Sequence, residues 1–182
     1  MYIHTYIYML GRHSSLWRTA AASSLMMQLA QVLRSFMVES GLEKRLFEGN
    51  RFRVLSASPG RVDFELDILA SHTNRLRSLH GGTLASLVDL GGSLAIASTG
   101  RFMTGVSTDI NVTYLAPGGQ AGDLLKGTAV CDKIGNTLAY TSVTFTNSKG
   151  QLAARGSHTK YVVGTKNEDG PYVAPEQFTD VD

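Results

Sequence analysis

The sequence predicts an α+β protein in which a buried helix accompanies an antiparallel sheet. Three observations support this. Residues 78–100 are almost free of charge and are apolar on most sides of a helix. Strand-like runs lie before and after them, and the clearest run alternates apolar and polar residues. Turn residues separate the later runs at short intervals, which is typical of antiparallel connections.

The first elements follow from local patterns. Apolar residues recur at helical spacing over residues 25–36, which predicts a leading helix with Gly41 as its stop signal. Two strands are expected over residues 52–57 and 61–68, on either side of a Ser-Pro-Gly turn.

The central helix is unusual in its composition. Its only formal charge is Asp89, and its Gly, Ser and Thr residues argue against a membrane span. Gly91 and Gly92 each lower helix stability by about 1 kcal/mol relative to Ala. We therefore expect the glycines to permit close packing, against a sheet or against another subunit.

Four strand-like runs follow the central helix, over residues 105–115, 123–133, 137–147 and 152–163. Turn sequences at residues 117–119, 134–136 and 148–150 separate them. Consecutive strands with short turns predict an antiparallel meander.

The two ends of the chain differ from its body. No acidic residue precedes Glu39, and without residues 1–38 the net charge of +2 becomes −1. Residues 1–24 are predicted to be a mitochondrial transit peptide or a non-native extension, and residues 25–163 to be the domain. Residues 164–182 are acidic and aperiodic, which predicts a disordered tail. We expect a mitochondrial location, with the cytoplasm as the alternative.

Composition and motifs argue against several function classes. The small net charge argues against a nucleic-acid-binding protein. The single cysteine, Cys131, cannot form an intramolecular disulfide, which suits a reducing compartment. The histidines of the body lack the spacing of a metal site, and neither a GxSxG elbow nor a Walker loop occurs.

The candidate chemistry lies around the central helix. An unpaired carboxylate in apolar surroundings is strongly disfavoured, so Asp89 is either a structural residue bonded to hydroxyls such as Ser86 and Ser93, or a functional group. The run 80–82, His-Gly-Gly, is either an ordinary loop or a helix N-terminus whose amides stabilise an oxyanion. Gly81 lies about 12 Å from Asp89 along the helix, so a site that uses both would combine two chains.

Several motifs together carry a family resemblance. They are HTN (72–74), LHGG (79–82), LVD (87–89), GVSTDINVTYLAP (105–117), GNTLAYTSV (135–143) and GSHTK (156–160). Over residues 28–163 the chain resembles the hotdog-fold acyl-CoA thioesterases. The resemblance implies a long central helix wrapped by a curved antiparallel sheet, in a homodimer or a dimer-of-dimers homotetramer with sites between subunits. It also implies a role in fatty acid metabolism, by hydrolysis of medium- to long-chain acyl-CoA to free fatty acid and coenzyme A, without a cofactor or metal.

The resemblance also implies roles for residues. The Gly81 amide and Asn74 polarise the thioester carbonyl, Asp89 of the facing subunit activates the water, Ser107 positions it, and His80 supports the site. The implied coenzyme A contacts are Tyr114, Ala116, Pro117, Lys133, Gly135, Asn136, Thr137 and Lys160, with Lys133 and Lys160 meeting phosphates. Two alternatives stay open: a non-catalytic acyl-CoA-binding or regulatory protein on this fold, and a 3-hydroxyacyl thioester dehydratase.

Overall fold

The computed structural model describes residues 20–47, 49, 51–166, 172 and 174–179, with side chains from Ser24 onward. The helices are α1 (Ala20–Glu39), α2 (Gly41–Leu46) and α3 (Gly81–Ala97). The strands are β1 (Phe52–Ser58), β2 (Arg61–Asp67), β3 (Val106–Tyr114), β4 (Leu124–Ile134), β5 (Leu138–Thr146) and β6 (Leu152–Tyr161). Residues 1–19 of the predicted leader lie outside the described residues, so the transit peptide stays a prediction.

The six strands form one antiparallel sheet in the order β1-β2-β4-β5-β6-β3. The α+β prediction is confirmed, and β4, β5 and β6 form the expected meander. The predicted strand order is wrong for β3. This strand pairs with β6 at the far edge of the sheet rather than with β4. The connecting residues 115–123 cross the end of the sheet. Backbone bonds fix this crossing, from Leu79 N to Gly119 O at 2.8 Å and from Ile68 N to Asp123 O at 2.9 Å.

Helix α3 packs on the sheet through its glycines. A Cβ added at Gly91 would lie 3.0 Å from Phe64 Cε1, and one at Gly92 would lie 2.5 Å from Thr141 Oγ1. Both neighbours are buried residues of strands β2 and β5. The expected close approach is therefore confirmed, and within this chain its partner is the sheet.

Helix α1 covers part of the core with the buried side chains of Leu29, Val32 and Leu33. The predicted stop at Gly41 is wrong in detail, because α1 ends at Glu39 and Gly41 begins α2. The Ser40 hydroxyl accepts a hydrogen bond from Leu42 N at 3.3 Å, and such an N-cap restarts the helix. Among the described helices, none is long and apolar enough to cross a membrane.

Part of the predicted disordered tail packs on the domain. Phe178 is buried, and its ring stacks on Phe102 with centroids 5.8 Å apart. Tyr172 makes an edge contact with the same Phe102 ring and donates its hydroxyl to Gln28 O at 3.1 Å. The prediction rested on charge and proline content, and these aromatic residues bury enough apolar surface to outweigh both. Residues 167–171, 173 and 180–182 lie outside the described residues.

Candidate active site

The N-terminus of α3 leaves one amide available to a ligand. His80 is the N-cap, and its Nδ1 accepts the Gly82 amide at 2.8 Å. The Tyr114 hydroxyl donates to Gly81 O at 2.9 Å, which places the Tyr114 ring over Gly81. In the part of the chain that the structure describes, the Gly81 amide has no acceptor. A free amide at the positive end of a helix dipole can stabilise a developing oxyanion.

Asn74 organises the loop that precedes this helix. Its Oδ1 accepts the amides of Leu76 at 2.8 Å and Ser78 at 3.3 Å, and its backbone oxygen accepts the Arg77 amide at 2.9 Å. Arg77 is held at φ 60°, a positive value that no other non-glycine residue in the described ranges adopts. Because Oδ1 is used as an acceptor inside the loop, the Nδ2 amide is the part of the side chain that is left to donate to a substrate.

Asp89 lies within a polar cluster formed with β3 and β6. Ser107 Oγ is 3.5 Å from Asp89 Oδ1, and His158 Nε2 is 2.9 Å from the same hydroxyl. His158 Nε2 and Lys160 Nζ lie 3.6 Å and 3.8 Å from Asp89 Oδ1. The Asp89 side chain is 41% exposed, so the carboxylate meets solvent beside the exposed Ser107, while His158 and Lys160 are buried.

The two serines expected as structural partners of Asp89 bond to other groups. Ser86 Oγ donates to Gly82 O at 3.0 Å, and Ser93 Oγ accepts the Lys160 ammonium at 2.6 Å. Neither serine bonds the Asp89 carboxylate. The hydroxyl beside it belongs to Ser107.

His158 and Lys160 are buried titratable groups behind the carboxylate. Burial, and then the charge of Lys160, lower the pKa of His158 to about 4, against a smaller opposing effect of Asp89. His158 is therefore uncharged at neutral pH. Burial also lowers the pKa of Lys160, and the carboxylates of Asp89 and Glu43 partly offset that effect.

Lys160 does not lie where the coenzyme A prediction requires. It is only 4% exposed, and its ammonium faces Ser93 and Asp89 instead of the surface. The other predicted lysine, Lys133, is exposed. The prediction that both lysines meet phosphates comes from the family resemblance, and the polar residues on both faces of β6 do not distinguish an inward Lys160 from a surface one. Only the folded sheet reveals the inward face of β6, along which residues 154, 158 and 160 are buried.

The predicted residues fall into two groups at opposite ends of β3. At the Val106 end, strands β3 and β5 both pair with Tyr161 of β6, and this end holds Asp89 and Ser107. The first group also includes Lys133 near the end of β4 and the residues of the β4–β5 turn, which are Gly135, Asn136 and Thr137. At the Tyr114 end lie Asn74, His80, Gly81, Ala116 and Pro117. Gly81 and Asp89, one from each group, are about 12 Å apart along α3, so one chain does not bring the two groups together.

Strand β3 also presents an open sheet edge in the described chain. It pairs with β6 on one side only, and its outer residues Val106, Ile110 and Tyr114 are exposed. Unpaired edges with exposed apolar side chains are suited to pairing with another strand.

Comparisons with known proteins identify the family. Residues 76–154 match the Thioesterase superfamily. Human acyl-coenzyme A thioesterase 13 is 38% identical over 141 residues, which cover 77% of this chain and 98% of the human protein. The chain belongs to the thioesterase superfamily. Its predicted class, a thioester hydrolase, is confirmed.

Solved structures of thioesterase superfamily proteins agree with the fold. Zebrafish thioesterase superfamily member 2 matches with a TM-score of 0.66 and 39% identity, covering 73% of this chain and 94% of that one. A Streptococcus mutans protein solved with bound acetyl-CoA matches with a TM-score of 0.60 and 29% identity, covering 66% and 94%. The helix on a six-stranded antiparallel sheet is the hotdog fold of these relatives, as predicted.

Proposed function

We propose that this protein hydrolyses medium- to long-chain acyl-CoA to free fatty acid and coenzyme A. The names of the human and Streptococcus relatives support the choice of a coenzyme A thioester as substrate. The observation that carries the proposal is the Asp89 carboxylate, half-exposed on a largely buried helix and 3.5 Å from the Ser107 hydroxyl. A carboxylate that reaches solvent beside a hydroxyl can hold and deprotonate a water molecule.

The proposed reaction needs a base and an oxyanion site. Asp89 takes a proton from the water as its oxygen bonds to the acyl carbon, while Ser107 orients the water. The negative charge that develops on the carbonyl oxygen is stabilised by the Gly81 amide and Asn74 Nδ2. The carbon–sulfur bond then breaks, and the coenzyme A sulfur leaves with the proton that Asp89 had accepted. His80 supports the oxyanion site by holding the Gly82 amide, so that only the Gly81 amide faces the substrate.

A second copy of the chain completes the proposed site. Two β3 strands that pair antiparallel about a two-fold axis bring the Val106 end of one subunit against the Tyr114 end of the other. Asp89 of one subunit then faces Gly81 of its partner, although about 12 Å of helix separates these residues within one chain. We propose this homodimer as the active unit, and a dimer of such dimers as the complete assembly.

The same pairing unites the two groups of predicted coenzyme A contacts. Tyr114, Ala116 and Pro117 of one subunit meet the partner's β4–β5 turn, where Gly135, Asn136 and Thr137 border the ligand. The exposed ammonium of Lys133 in this region is suited to the coenzyme A phosphates. The acyl chain lies in the apolar space between the subunits, which is the reason for proposing medium to long chains.

A thiol-release assay over a series of acyl chain lengths tests the proposal. The wild type should release coenzyme A, and Asp89→Asn should lower kcat by about 10²-fold or more, because the amide cannot take the proton. Asp67→Asn is a matched control on β2, where the carboxylate pairs with Arg53 and strands β4, β5 and β6 separate it from β3. Unchanged turnover in Asp89→Asn would remove the proposed base. An unsaturated thioester as product, instead of free thiol, would indicate the dehydratase.

Mixing two inactive variants tests the shared site. Gly81→Pro removes the amide hydrogen, and the extended His80 backbone (φ −70°, ψ 137°) is compatible with a following proline. When Gly81→Pro and Asp89→Asn chains are refolded together, heterodimers carry one intact site. Random pairing should restore about a quarter of the wild-type activity. If the mixture stays as inactive as its parts, each chain works alone or the pairing differs.

We also propose that residues 1–24 direct the protein to mitochondria, where it serves fatty acid metabolism. The acid-free, arginine-containing start supports this. Fractionation with mass spectrometry of the mature N-terminus tests it: cleavage near residue 24 in the mitochondrial fraction is expected. An intact Met1 in the cytosol would favour the cytoplasmic alternative.

A further inference from the structure

Lys160 is a buried cation to which the hydrolysis proposed above gives no role. It lies on β6, is 4% exposed, and donates to Ser93 Oγ at 2.6 Å. Its ammonium lies 3.5 Å from Thr104 Oγ1 and 3.8 Å from Asp89 Oδ1. Burying a charge is unfavourable unless it is paired and hydrogen-bonded, so this position requires an explanation.

The contacts of Lys160 join the three elements that carry the proposed base and its neighbours. Ser93 lies on α3 one turn after Asp89, so the ammonium is attached to the helix that presents the carboxylate. Thr104 precedes β3, the strand that carries Ser107. Lys160 itself follows His158 on β6, with both side chains on the inward face.

We propose that Lys160 is a positioning residue for thioester hydrolysis, whose ammonium, anchored on Ser93, holds the Asp89 carboxylate beside Ser107. This inference rests on the proposed function. If Lys160 positions Asp89, its removal lowers kcat. If Lys160 instead contacted a phosphate, its removal would weaken the binding of coenzyme A.

The charge of Lys160 acts on two groups that matter for the water. The ammonium attracts the Asp89 carboxylate, whose Oδ1 lies 3.8 Å from Nζ, and so restrains its position. The same charge opposes protonation of His158, whose Nε2 lies 2.9 Å from Ser107 Oγ.

The other charged groups around the cluster are carboxylates. Glu43 of α2 acts on Lys160, and Asp109 of β3 acts on His158. Without the ammonium, the charge that opposes protonation of His158 is gone while Asp89 and Asp109 still favour it, so His158 takes up a proton at higher pH. The acidic limb of the rate profile should therefore move to higher pH.

Lys160→Met tests this inference, because methionine keeps an unbranched apolar stem and removes the charge. We expect kcat at pH 7 to fall about tenfold with little change in KM. The acidic limb of the kcat/KM profile should rise by about one pH unit. The loss should be equal for acyl-CoA and acyl-pantetheine, since the latter lacks the nucleotide phosphates.

Two lysine variants serve as controls. Lys126→Met removes an exposed charge on β4 and should behave as wild type. Lys133→Met should raise KM for acyl-CoA, because this lysine is the proposed phosphate contact. If Lys160→Met likewise raises KM for acyl-CoA alone, Lys160 binds phosphate and the inference is wrong.

Ser93→Ala provides a second variant that keeps the lysine. It should lower kcat and raise the acidic limb, and it should add little when combined with Lys160→Met, because both act through one contact. If Lys160→Met does not fold, the same kinetic measurements on Ser93→Ala test the inference, provided that its melting temperature is normal. A wild-type pH profile in the folded variants would overturn the inference. An inactive wild type would instead overturn the proposed function.

Discussion

Gly92→Ala is a small change that tests the packing of α3 against the sheet. The added Cβ would lie 2.5 Å from Thr141 Oγ1 and 2.8 Å from His158 Nδ1, both shorter than a Cβ contact can be. Neither neighbour can move away freely, because Thr141 is buried and donates to His158 O, and the His158 ring is fully buried. Either the helix or these two side chains must shift.

The expected cost combines two opposing effects. Alanine is favoured over glycine in a helix by about 1 kcal/mol. Overpacking a dense core costs about 1–3 kcal/mol, and contacts this short belong at the upper end of that range. The free energy of unfolding should therefore fall by about 2 kcal/mol. For a chain of 182 residues this lowers the melting temperature by about 4–8 °C.

Urea unfolding and calorimetry of wild type, Gly92→Ala and Gly41→Ala measure this effect. Gly41 is the matched control, because it is also a helical glycine but no atom lies within 4 Å of an added Cβ. Gly41→Ala should leave stability unchanged or slightly increased. A Gly92→Ala protein as stable as wild type would show that the helix does not lie this close to β5 and β6.

Three further predictions address the site, the pH dependence and the tail. Asn74→Asp keeps the oxygen that accepts the loop amides but removes Nδ2. We expect kcat to fall about 10²-fold and the melting temperature to stay unchanged. A kcat near that of the wild type would exclude Nδ2 as an oxyanion donor. Because the pKa of His158 is lowered from 6.5 to about 4 in the folded state, the unfolded chain binds the proton first. Stability measured by urea unfolding should therefore be greatest above pH 6.5 and fall between about pH 6.5 and 4, and a His158→Gln protein with the same slope would contradict this assignment. Phe178→Ala should lower the free energy of unfolding by about 3 kcal/mol, while an unchanged value would show that the tail contributes no packing.

Local patterns in the sequence predict most elements of this fold but not their neighbours. Alternation and turn residues place all six strands within a few residues of their observed ends. The position of β3 is not encoded in such patterns, because pairing with β4 or with β6 buries the same side chains. The residues 115–123 are longer than the hairpin turns that follow, and this length is the one local sign of a crossing.

The sequence predicts those candidate site residues whose chemistry is unusual for a buried element. Asp89 stands out because a carboxylate interrupts an apolar helix, and Gly81 because it begins one. His158 and Lys160 lie on a strand whose two faces are both polar in sequence, so nothing local separates an inward lysine from a solvated one. Their roles depend on the distances to Ser107 and Ser93, which only the folded sheet provides.

The order of the strands also determines when the sheet can be finished during synthesis of the chain. Strand β3 leaves the ribosome before β4 and β5, but β6, its one neighbour among the described strands, emerges after them. Until then β3 has two bare edges in the nascent chain, which is a state prone to aggregation. Contacts between strands so distant in sequence also slow folding, to roughly the range of milliseconds to seconds. Ser107 thus reaches Asp89 only after the last strand has been made.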